Sequence, residues 1–380
     1  MLIHDASLQK PYRDFGIMLP ISPSRPDKIM EAFSGDFFKG ARGKNYPYPG
    51  PVFDLAGAQK RLGMDGPVIT RADLERVHDR AFVSALFEPY VTGPNLSSLE
   101  KEILAAYELI DRDGKPHRYE PEKAVRKLGE LLDNTLDQLR GTYLACELAL
   151  AEGPGFCFFL GGGMHHARYD SGAGFCLLND IAVSAAKVLA DTTPRYRGTP
   201  RLVWIVDMDV HKGDGTAELV HFARRRKELV DSSGPRVLTL SIHMDRGWPL
   251  DAETLADARM DRAPLIPSDI DIGIGAGEEP RYIPELEKGL AQLESLSGNR
   301  RPDLVIVVDG ADPYEYDGLA SSALLKLTLD ECFRRDMLVY RYLGRRNIPS
   351  AWILAGGYGE RAWEPTANFL RNLRASLTGY

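Results

Sequence analysis

The chain has 380 residues, of which 44% are hydrophobic and 27% charged, a balance that is typical of a folded globular protein with ample material for a core. Its net charge of −7 gives no general basic surface for nucleic acid, and the one basic run, Arg224 to Lys227, is predicted to lie on a solvated helix face. No apolar run approaches the ~20 residues of a membrane span, and the four cysteines show neither zinc-finger spacing nor a dense disulfide framework, so we predict a cytoplasmic protein without nucleic-acid or membrane partners.

The first 150 residues show few regular elements. Residues 1–66 are rich in Pro, Gly and Asp with little periodicity, which predicts an irregular segment packed on the main body. A capping-box pattern that opens at Thr70 predicts a helix to about Phe87. Residues 91–119 are polar and predict a loop insertion, and a long helix or a broken helix pair is predicted over 121–152.

Strands and helices alternate through the rest of the chain. Apolar runs predict strands near 156–160, 202–207, 236–242, 304–309 and 350–354. Amphipathic stretches predict helices over 180–191, 279–297 and 325–345. This alternation predicts an α/β protein with a predominantly parallel sheet and helices on both faces, in a single domain over residues 1–380.

Four polar clusters follow these predicted strands. They read Gly161-Gly-Gly-Met-His165-His166, Asp207-Met-Asp209-Val-His211, Gly310-Ala-Asp312 and Gly356-Gly-Tyr358. Ligand sites in parallel sheets lie outside the carboxyl ends of the strands. We therefore expect the four clusters to meet in one site.

The second cluster has the chemistry of a metal site. A strand with a period of two places Asp207, Asp209 and His211 on one side as it leaves its apolar section. Catalytic zinc is typically held by three protein ligands with a fourth position open, and Asp312 is the natural third ligand beside Asp209 and His211. The alternative interpretation is a polar strand end whose carboxylates cap the next helix.

The paired histidines and the tyrosine suit proton transfer and oxyanion stabilisation. Neighbouring imidazoles such as His165 and His166 can move protons near neutral pH. Each needs an acceptor for its other ring nitrogen, and Asp207 and Asp214 are suitable. Tyr358 is either a packed turn residue or a hydrogen-bond donor to a developing oxyanion.

These motifs, with Gly174-Phe175-Cys176-Leu-Leu-Asn179-Asp180 and Lys212-Gly213-Asp214-Gly215, stand in a familiar order and spacing. In them the chain resembles the histone deacetylase superfamily of zinc amide hydrolases, which includes the acetylpolyamine amidohydrolases. The resemblance covers roughly residues 70–375. It implies the three-layer α/β/α arginase-deacetylase fold.

The resemblance also implies a role for each matched residue. It makes Asp209, His211 and Asp312 the zinc ligands. His166 is implied to be the general base and later the general acid, with His165 as its electrostatic partner. Asp207 then supports His165, Asp214 supports His166, and Tyr358 stabilises the tetrahedral intermediate together with zinc.

A narrow substrate channel and a second cation site follow from the same resemblance. Phe175 and Trp248 match the two aromatic walls, although without the resemblance ordinary core would be the favoured interpretation of both. The Gly174 carbonyl is implied to reach the substrate amide. The implied structural potassium site uses Asp207, Asp209, His211, Ser241 and Ile242. Carbonyl and carboxylate oxygens suit such a hard cation.

Some positions depart from the family pattern. The stretch Ser22-Pro-Ser-Arg25-Pro26 keeps only part of an early family motif. Leu319 stands where polyamine-specific relatives carry a glutamate that recognises a distant ammonium group. An apolar residue there favours acyl-lysine substrates, although Glu315 or the 91–119 loop could supply a carboxylate instead.

We therefore predict a zinc-dependent hydrolase that removes acetyl or other acyl groups from lysine side chains of proteins or peptides. Ferrous iron is the alternative metal, and homo-oligomer formation is left open. Acetylpolyamines or other small acyl-amines are the alternative substrates, and a metal-retaining binding protein is the non-enzyme alternative. The two-manganese ureohydrolase branch of the same fold is disfavoured, because Asp309-Gly-Ala-Asp312 lacks the required Asp-x-Asp-x-x-Asp run.

Overall fold

Eight strands form one parallel sheet through the middle of the molecule. The computed structural model describes residues 1–34, 51–88, 96–111, 113–151, 155–191, 201–251 and 265–377. In chain order the strands are β1 (Leu2–Ile3), β2 (Val52–Phe53), β3 (Phe156–Phe159), β4 (Val203–Asp207), β5 (Val230–Asp231), β6 (Gly234–Pro235), β7 (Val237–Met244), β8 (Ile270–Ile274), β9 (Leu304–Asp309) and β10 (Ser350–Leu354). The sheet order is β2-β1-β3-β10-β9-β4-β7-β8 with every neighbouring pair parallel, while β5 and β6 form a separate antiparallel hairpin.

Helices cover both faces of this sheet. They are α1 (Arg25–Ser34), α2 (Leu55–Arg61), α3 (Arg71–Leu74), α4 (Arg80–Leu86), α5 (Ser98–Ala106), α6 (Leu131–Ala151), α7 (Asp180–Ala190), α8 (Asp214–Arg225), α9 (Tyr282–Leu296), α10 (Leu329–Arg345) and α11 (Glu364–Leu377). Alternate strand residues point to opposite faces. Phe159 and Ile205 accordingly pack in the apolar core that includes α6 and α7, whereas Phe158 and Trp204 pack in the core that includes α9 and α10.

The three-layer parallel architecture predicted from the sequence is confirmed. The five predicted strands are found as β3, β4, β7, β9 and β10, and the predicted helices correspond to α7, α9 and α10. Their strong apolar periodicity reflects burial on both faces of the sheet. The assignment of all 380 residues to one domain stays a prediction.

The prediction of an irregular 1–66 segment is wrong for the described residues. Leu2–Ile3 and Val52–Phe53 are parallel strands of the main sheet, and β1 lies between β2 and β3. Two-residue strands are too short to show a periodic pattern, so the sequence gives no signal for them. Residues 35–50 lie outside the described part of the chain.

The predictions between residues 70 and 152 need smaller corrections. The 91–119 stretch contains helix α5, opened by a capping box in which the Ser97 and Glu100 side chains each accept the other's backbone N–H. The predicted helix from Thr70 is broken into α3 and α4, although its capping box is present. The 121–152 stretch has two short 3₁₀ turns before α6 begins at Leu131. Residues 91–95 and 112 are outside the described ranges.

Two further observations concern the helices and the cysteines of the described residues. Within the ranges given above, the helices include none that is both long and apolar enough to cross a membrane. The four cysteines are all buried and unbonded to one another.

Candidate metal centre and active site

The four polar clusters lie at the carboxyl ends of four adjacent strands, β3, β10, β9 and β4. Asp207 and Asp309 are the last residues of β4 and β9, and the histidine and tyrosine clusters follow β3 and β10. Parallel pairing brings these ends to one edge of the sheet. The clusters therefore meet as the sequence predicted.

Asp209, His211 and Asp312 form a compact buried group. Each offers one ligand atom, and these atoms all lie within 4.8 Å of one another. Nδ1 of His211 is 3.3 Å from Oδ1 of Asp209 and 3.1 Å from Oδ2 of Asp312. Imidazole nitrogen and carboxylate oxygen are both zinc ligands, and three protein ligands are the usual number at a catalytic zinc site.

The electrostatics of this group also suit a cation. Burial, and then the neighbouring charge of Asp209, raise the pKa of Asp312 to about 7. Burial would lower the pKa of His211, but hydrogen bonds to Asp209 and Asp312 raise it to about 9. The carboxylates of Asp209 and Asp312 thus share the positive charge of one imidazole, that of His211. A divalent ion bound between these three side chains would neutralise both carboxylates. The three residues fit a zinc ion.

Gly356 leaves the space that this arrangement needs. Its N–H donates to Oδ2 of Asp209 at 2.9 Å. A Cβ at this position would lie 2.7 Å from Cγ of Asp312 and still closer to the carboxylate oxygens. Any larger residue would push the two carboxylates apart.

The two histidines each have their own carboxylate. Nδ1 of His165 is 2.7 Å from Asp207, and Nδ1 of His166 is 2.7 Å from Asp214. All four side chains are buried. The structure therefore places both predicted pairs together, with Nε2 of His165 3.7 Å from Oδ1 of Asp209.

The two imidazoles, 3.9 Å apart between ring centroids, have opposite electrostatics. Burial opposes charge on His165, but Asp207 and Asp209 raise its pKa to about 10. Burial and the positive charge of His165 lower the pKa of His166 to about 4, against the opposing effect of Asp214. At neutral pH His166 is therefore uncharged and has a ring nitrogen able to accept a proton.

The predicted channel residues line one cavity of about 150 Å³ above this group. Gly174, Phe175, Trp248 and Leu319 share it with His166, His211 and Tyr358. The rings of Phe175 and Tyr358 meet edge to face at 6.5 Å, and Trp248 packs on His166 at 4.4 Å. The two aromatic walls are thus side chains of a slot rather than core.

Gly174 makes the close approach at the slot floor possible. It has a φ of +53°, and a Cβ here would lie 2.7 Å from Cδ2 of His166. The following N–H, of Phe175, donates to the carbonyl of Ala106 at 2.9 Å. The Phe175 wall is therefore anchored to the end of α5.

Tyr358 stays a neutral phenol in this environment. Burial, followed by the charges of Asp312 and Asp209, raises its pKa well above the ordinary value. Its backbone N–H donates to Asp317 at 2.6 Å. Tyr358 therefore keeps its hydroxyl hydrogen for donation into the slot.

The two alternative sources of a carboxylate are now distinguished. Glu315 is exposed and is not among the residues that line the slot. Glu108, from the 91–119 stretch, does line it, together with Arg118. The carboxylate at the slot rim thus comes from the segment after α5.

Two buried arginines at the site were given no role from the sequence, where Arg25 stood only in a partial motif and Arg168 was not noted. Arg168 contacts both Asp214 and Glu218, and so holds the carboxylate that faces His166. Arg25 donates to the Ala355 carbonyl at 2.6 Å. It also lines a second cavity, of about 200 Å³, whose lining includes His165 and His166. Arg168 stands only two positions after His166, a signal that a search for carboxylate partners could have used.

Arg335 supports the loops that carry the candidate metal ligands. It donates to the carbonyls of Met208 and Gly310 at 3.2 and 2.8 Å, and to Asp309 and Asp336 at 2.7 Å each. Met208 and Gly310 each lie within two residues of a candidate ligand. The side chain is fully buried on α10, three positions after the buried Cys332, so helical periodicity could have identified it.

The predicted potassium site remains a prediction. Its residues come from the end of β4 and from the neighbouring strand β7, because Asp207 and Ser241 are register partners in the β4 and β7 pair. Asp209 and His211 continue from β4, and Ile242 from Ser241. This proximity is compatible with shared coordination of one cation.

Comparison with known proteins gives one consistent family. The family model "Histone deacetylase domain" matches residues 51–371. The chain is 31% identical over 244 residues to an uncharacterized protein of Picosynechococcus sp., covering 63% of this chain and 69% of that one. It is 29% identical over 236 residues to histone deacetylase 2 of Arabidopsis thaliana, covering 62% and 52%.

Other similarities extend the range of relatives. The acetoin utilization protein AcuC of Staphylococcus aureus is 27% identical over 206 residues, which cover 54% of this chain and 46% of AcuC. The match thus spans about half the length of both named relatives. A crystal structure of acetylpolyamine aminohydrolase from Burkholderia pseudomallei has a TM-score of 0.60 with 19% identity over 99% of both chains, which shows a common fold.

Proposed function

Because the chain belongs to the histone deacetylase family, with a domain match over residues 51–371, we propose that it is a metal-dependent amide hydrolase that removes acyl groups from the ε-amine of lysine. The lysine is carried by a protein or peptide or is the free amino acid. The observation that carries the proposal is the His166 imidazole, held by Asp214 beside the Asp209, His211 and Asp312 group at the floor of an aromatic slot.

The proposed reaction adds water across the amide C–N bond. The water oxygen bonds to the acyl carbon, the C–N bond breaks, and the amine nitrogen takes a proton, which gives a carboxylic acid and an amine. With the Nδ1–H of His166 directed to Asp214, its Nε2 accepts the proton from water and then delivers it to the leaving nitrogen. His165, charged and paired with Asp207, stabilises negative charge that develops beside it.

Asp209, His211 and Asp312 would hold the metal. A zinc ion bound there supplies Lewis acidity, which acidifies water and polarises the acyl carbonyl. Tyr358 donates its hydroxyl hydrogen to the carbonyl oxygen as negative charge develops there. We propose zinc as the metal, with ferrous iron as the alternative that metal analysis of the purified protein would identify, and potassium at the second site.

Substrate preference is proposed from the slot itself. Leu319 offers an apolar surface at the slot, which favours the methylene chain of lysine over the charged ammonium groups of a polyamine. Acetylpolyamines are the second candidate, and the carboxylate of Glu108 at the same slot is the observation in their favour. We also propose a cytoplasmic location, which the four buried free thiols support.

The test is a comparison of initial rates on one zinc-loaded preparation. The substrates are a series of acetyl-lysine peptides with free acetyl-lysine, and acetylated putrescine and spermidine. Higher kcat/KM for the acetyl-lysine compounds supports the proposal. Higher kcat/KM for the acetylpolyamines would replace it with the second candidate, and no hydrolysis of any of them would contradict lysine deacylation.

A further inference from the structure

Two residues of opposite charge form the rim of the slot. Among the described residues that line it, the side chains with a full charge at neutral pH outside the metal and histidine group are Glu108 and Arg118. Nη1 of Arg118 is 3.4 Å from Oε2 of Glu108, and the side chains are 38% and 41% exposed, respectively. One positive and one negative group are thus available to a ligand that enters from solvent.

The segments that carry this pair are anchored next to the Phe175 wall of the slot. The Arg118 guanidinium lies 5.8 Å from the centre of the Phe175 ring. The segment that carries it is tied back by hydrogen bonds from the His117 N–H to Leu109 and from the Met18 N–H to the Arg118 carbonyl, at 2.8 and 2.9 Å. Phe175 is itself bonded to Ala106 at the end of α5, two residues before Glu108. The backbone segments that carry both charges are therefore anchored beside the mouth of the slot.

We propose that Glu108 and Arg118 recognise the far end of a zwitterionic substrate, the α-ammonium and α-carboxylate groups of a free Nε-acyl-lysine. The inference rests on the proposed deacylase function and names the form in which the lysine arrives. Glu108 pairs with the ammonium and Arg118 with the carboxylate, so the substrate replaces the resting ion pair without leaving either charge unpaired.

The competing substrates meet this rim less well. An acylated polyamine brings only positive charge, which places an ammonium beside Arg118. An acyl-lysine inside a peptide brings neither charge and leaves the rim pair unused. An exposed ion pair such as that of Glu108 and Arg118 contributes little to the stability of the fold. Substrate recognition gives this pair a role that stability does not explain.

Four small substrates separate the two contacts. Nε-acetyl-lysine carries both charges, N-acetylcadaverine carries only the ammonium, and 6-acetamidohexanoate carries only the carboxylate. The capped compound, lysine amide acetylated at both Nα and Nε, carries neither charge. All four present the same acetamide on a similar chain. We expect kcat/KM to be highest for Nε-acetyl-lysine and lowest for the capped compound.

Two variants assign each contact. Arg118→Gln should lower kcat/KM about tenfold for Nε-acetyl-lysine and 6-acetamidohexanoate, and leave N-acetylcadaverine unchanged or improved. Glu108→Gln should lower it for Nε-acetyl-lysine and N-acetylcadaverine and spare 6-acetamidohexanoate. Arg126→Gln is the matched control, because Arg126 also lies over a phenylalanine, 6.0 Å from the Phe15 ring, and pairs with Glu130 at 3.2 Å, but is not among the residues lining the slot.

The outcomes separate the inference from the function on which it rests. Equal losses for all four substrates in Arg118→Gln would make the pair a purely structural contact and overturn the inference. Hydrolysis of acetyl-lysine peptides without preference for the free amino acid would also overturn it, while the proposed function stands. If nothing is hydrolysed, the proposed function fails, and calorimetric binding of Nε-acetyl-lysine decides: binding weakened about tenfold by Arg118→Gln supports the inference, and no Arg118-dependent binding contradicts it.

Discussion

Tyr358 is the residue whose removal most directly tests the proposed chemistry. Its phenol is kept neutral by burial and by nearby carboxylates, and its ring forms one side of the slot. Tyr358→Phe removes only the donor, and losing one donor to an oxyanion typically costs about 100- to 1,000-fold in rate. We therefore expect kcat to fall by that factor while the zinc content is unchanged. Normal turnover in this variant would remove Tyr358 from the mechanism.

Replacement of Asp209 is expected to lower the metal content of the protein, and not only its turnover. Its carboxylate is one of the three candidate ligands and also accepts N–H groups from His211 and Gly356. Asp209→Ala should lose most of its zinc on dialysis, because a coordinating oxygen is gone. The measurement is zinc per folded chain, with circular dichroism to confirm folding and the exposed Asp133→Ala as the control. Full zinc occupancy in Asp209→Ala would contradict the ligand assignment.

Among the elements, β3, β4, β7, β9 and β10 were predictable from the sequence. These strands are buried on both faces, so they are continuous apolar runs, and the polar residues that follow them mark the edge where a site forms. Strands β1 and β2 were not predictable, because two residues carry no period and because β1 pairs with β2 and β3, both of which are distant from it in the chain. Helix α5 was missed although Ser97 and Glu100 give its capping box in the sequence.

The same contrast between local patterns and contacts across the chain explains which site residues were found from the sequence. His165, Asp207 and Asp209 stand in short motifs with recognisable chemistry. Arg335 and Arg118 reach the site through side chains that begin on distant elements, and the charged residues around each of them in the sequence form no recognised ligand or catalytic motif. Long side chains can act far from their Cα positions, so local patterns predict them poorly.

Helix α10 contributes to the site through Arg335, and we expect this side chain to stabilise the packing of α10 against β9. This side chain joins Asp336 of its own helix to Asp309 at the end of β9 and to the two ligand loops. Arg335→Met leaves two buried carboxylates without their cation, a change that typically costs about 3–5 kcal/mol.

The measurement is the free energy of unfolding in urea for the zinc-loaded protein. Arg334→Met, at the exposed neighbouring position on the same helix, is the control and should be within about 0.5 kcal/mol of the wild type. A loss in Arg335→Met no larger than that of the control would show that the buried network does not stabilise the fold. In that case the two carboxylates must be neutralised in another way.

At the scale of the whole molecule, the site depends on segments far apart in the chain that meet only after folding. His78 joins three of them: it lies between α3 and α4, its Nδ1 is 2.8 Å from the Arg168 carbonyl, and its Nε2 accepts the N–H of Asn179, which caps α7. Since Nε2 is the acceptor, Nδ1 carries the single proton. A second proton would break the bond to Asn179, so the imidazole must stay neutral.

This constraint predicts how stability depends on pH. Burial lowers the pKa of His78 to about 4, below the value of about 6.5 expected in an unfolded chain. The unfolded chain therefore binds the proton more readily, so the contribution of His78 is complete above about pH 6.5 and is lost as the pH falls toward 4. Between pH 7 and pH 5 this residue alone should reduce the free energy of unfolding by about 2 kcal/mol.

Urea unfolding at pH 7 and pH 5 tests this, and the comparison of variants isolates His78 from the other buried histidines. His78→Gln should be less stable than the wild type at pH 7, because the Asn179 contact is altered, but its loss between the two pH values should be smaller by about 2 kcal/mol. The exposed His221→Gln should lose as much as the wild type. If His78→Gln loses as much stability as the wild type between pH 7 and pH 5, protonation of His78 is not what weakens the fold in acid.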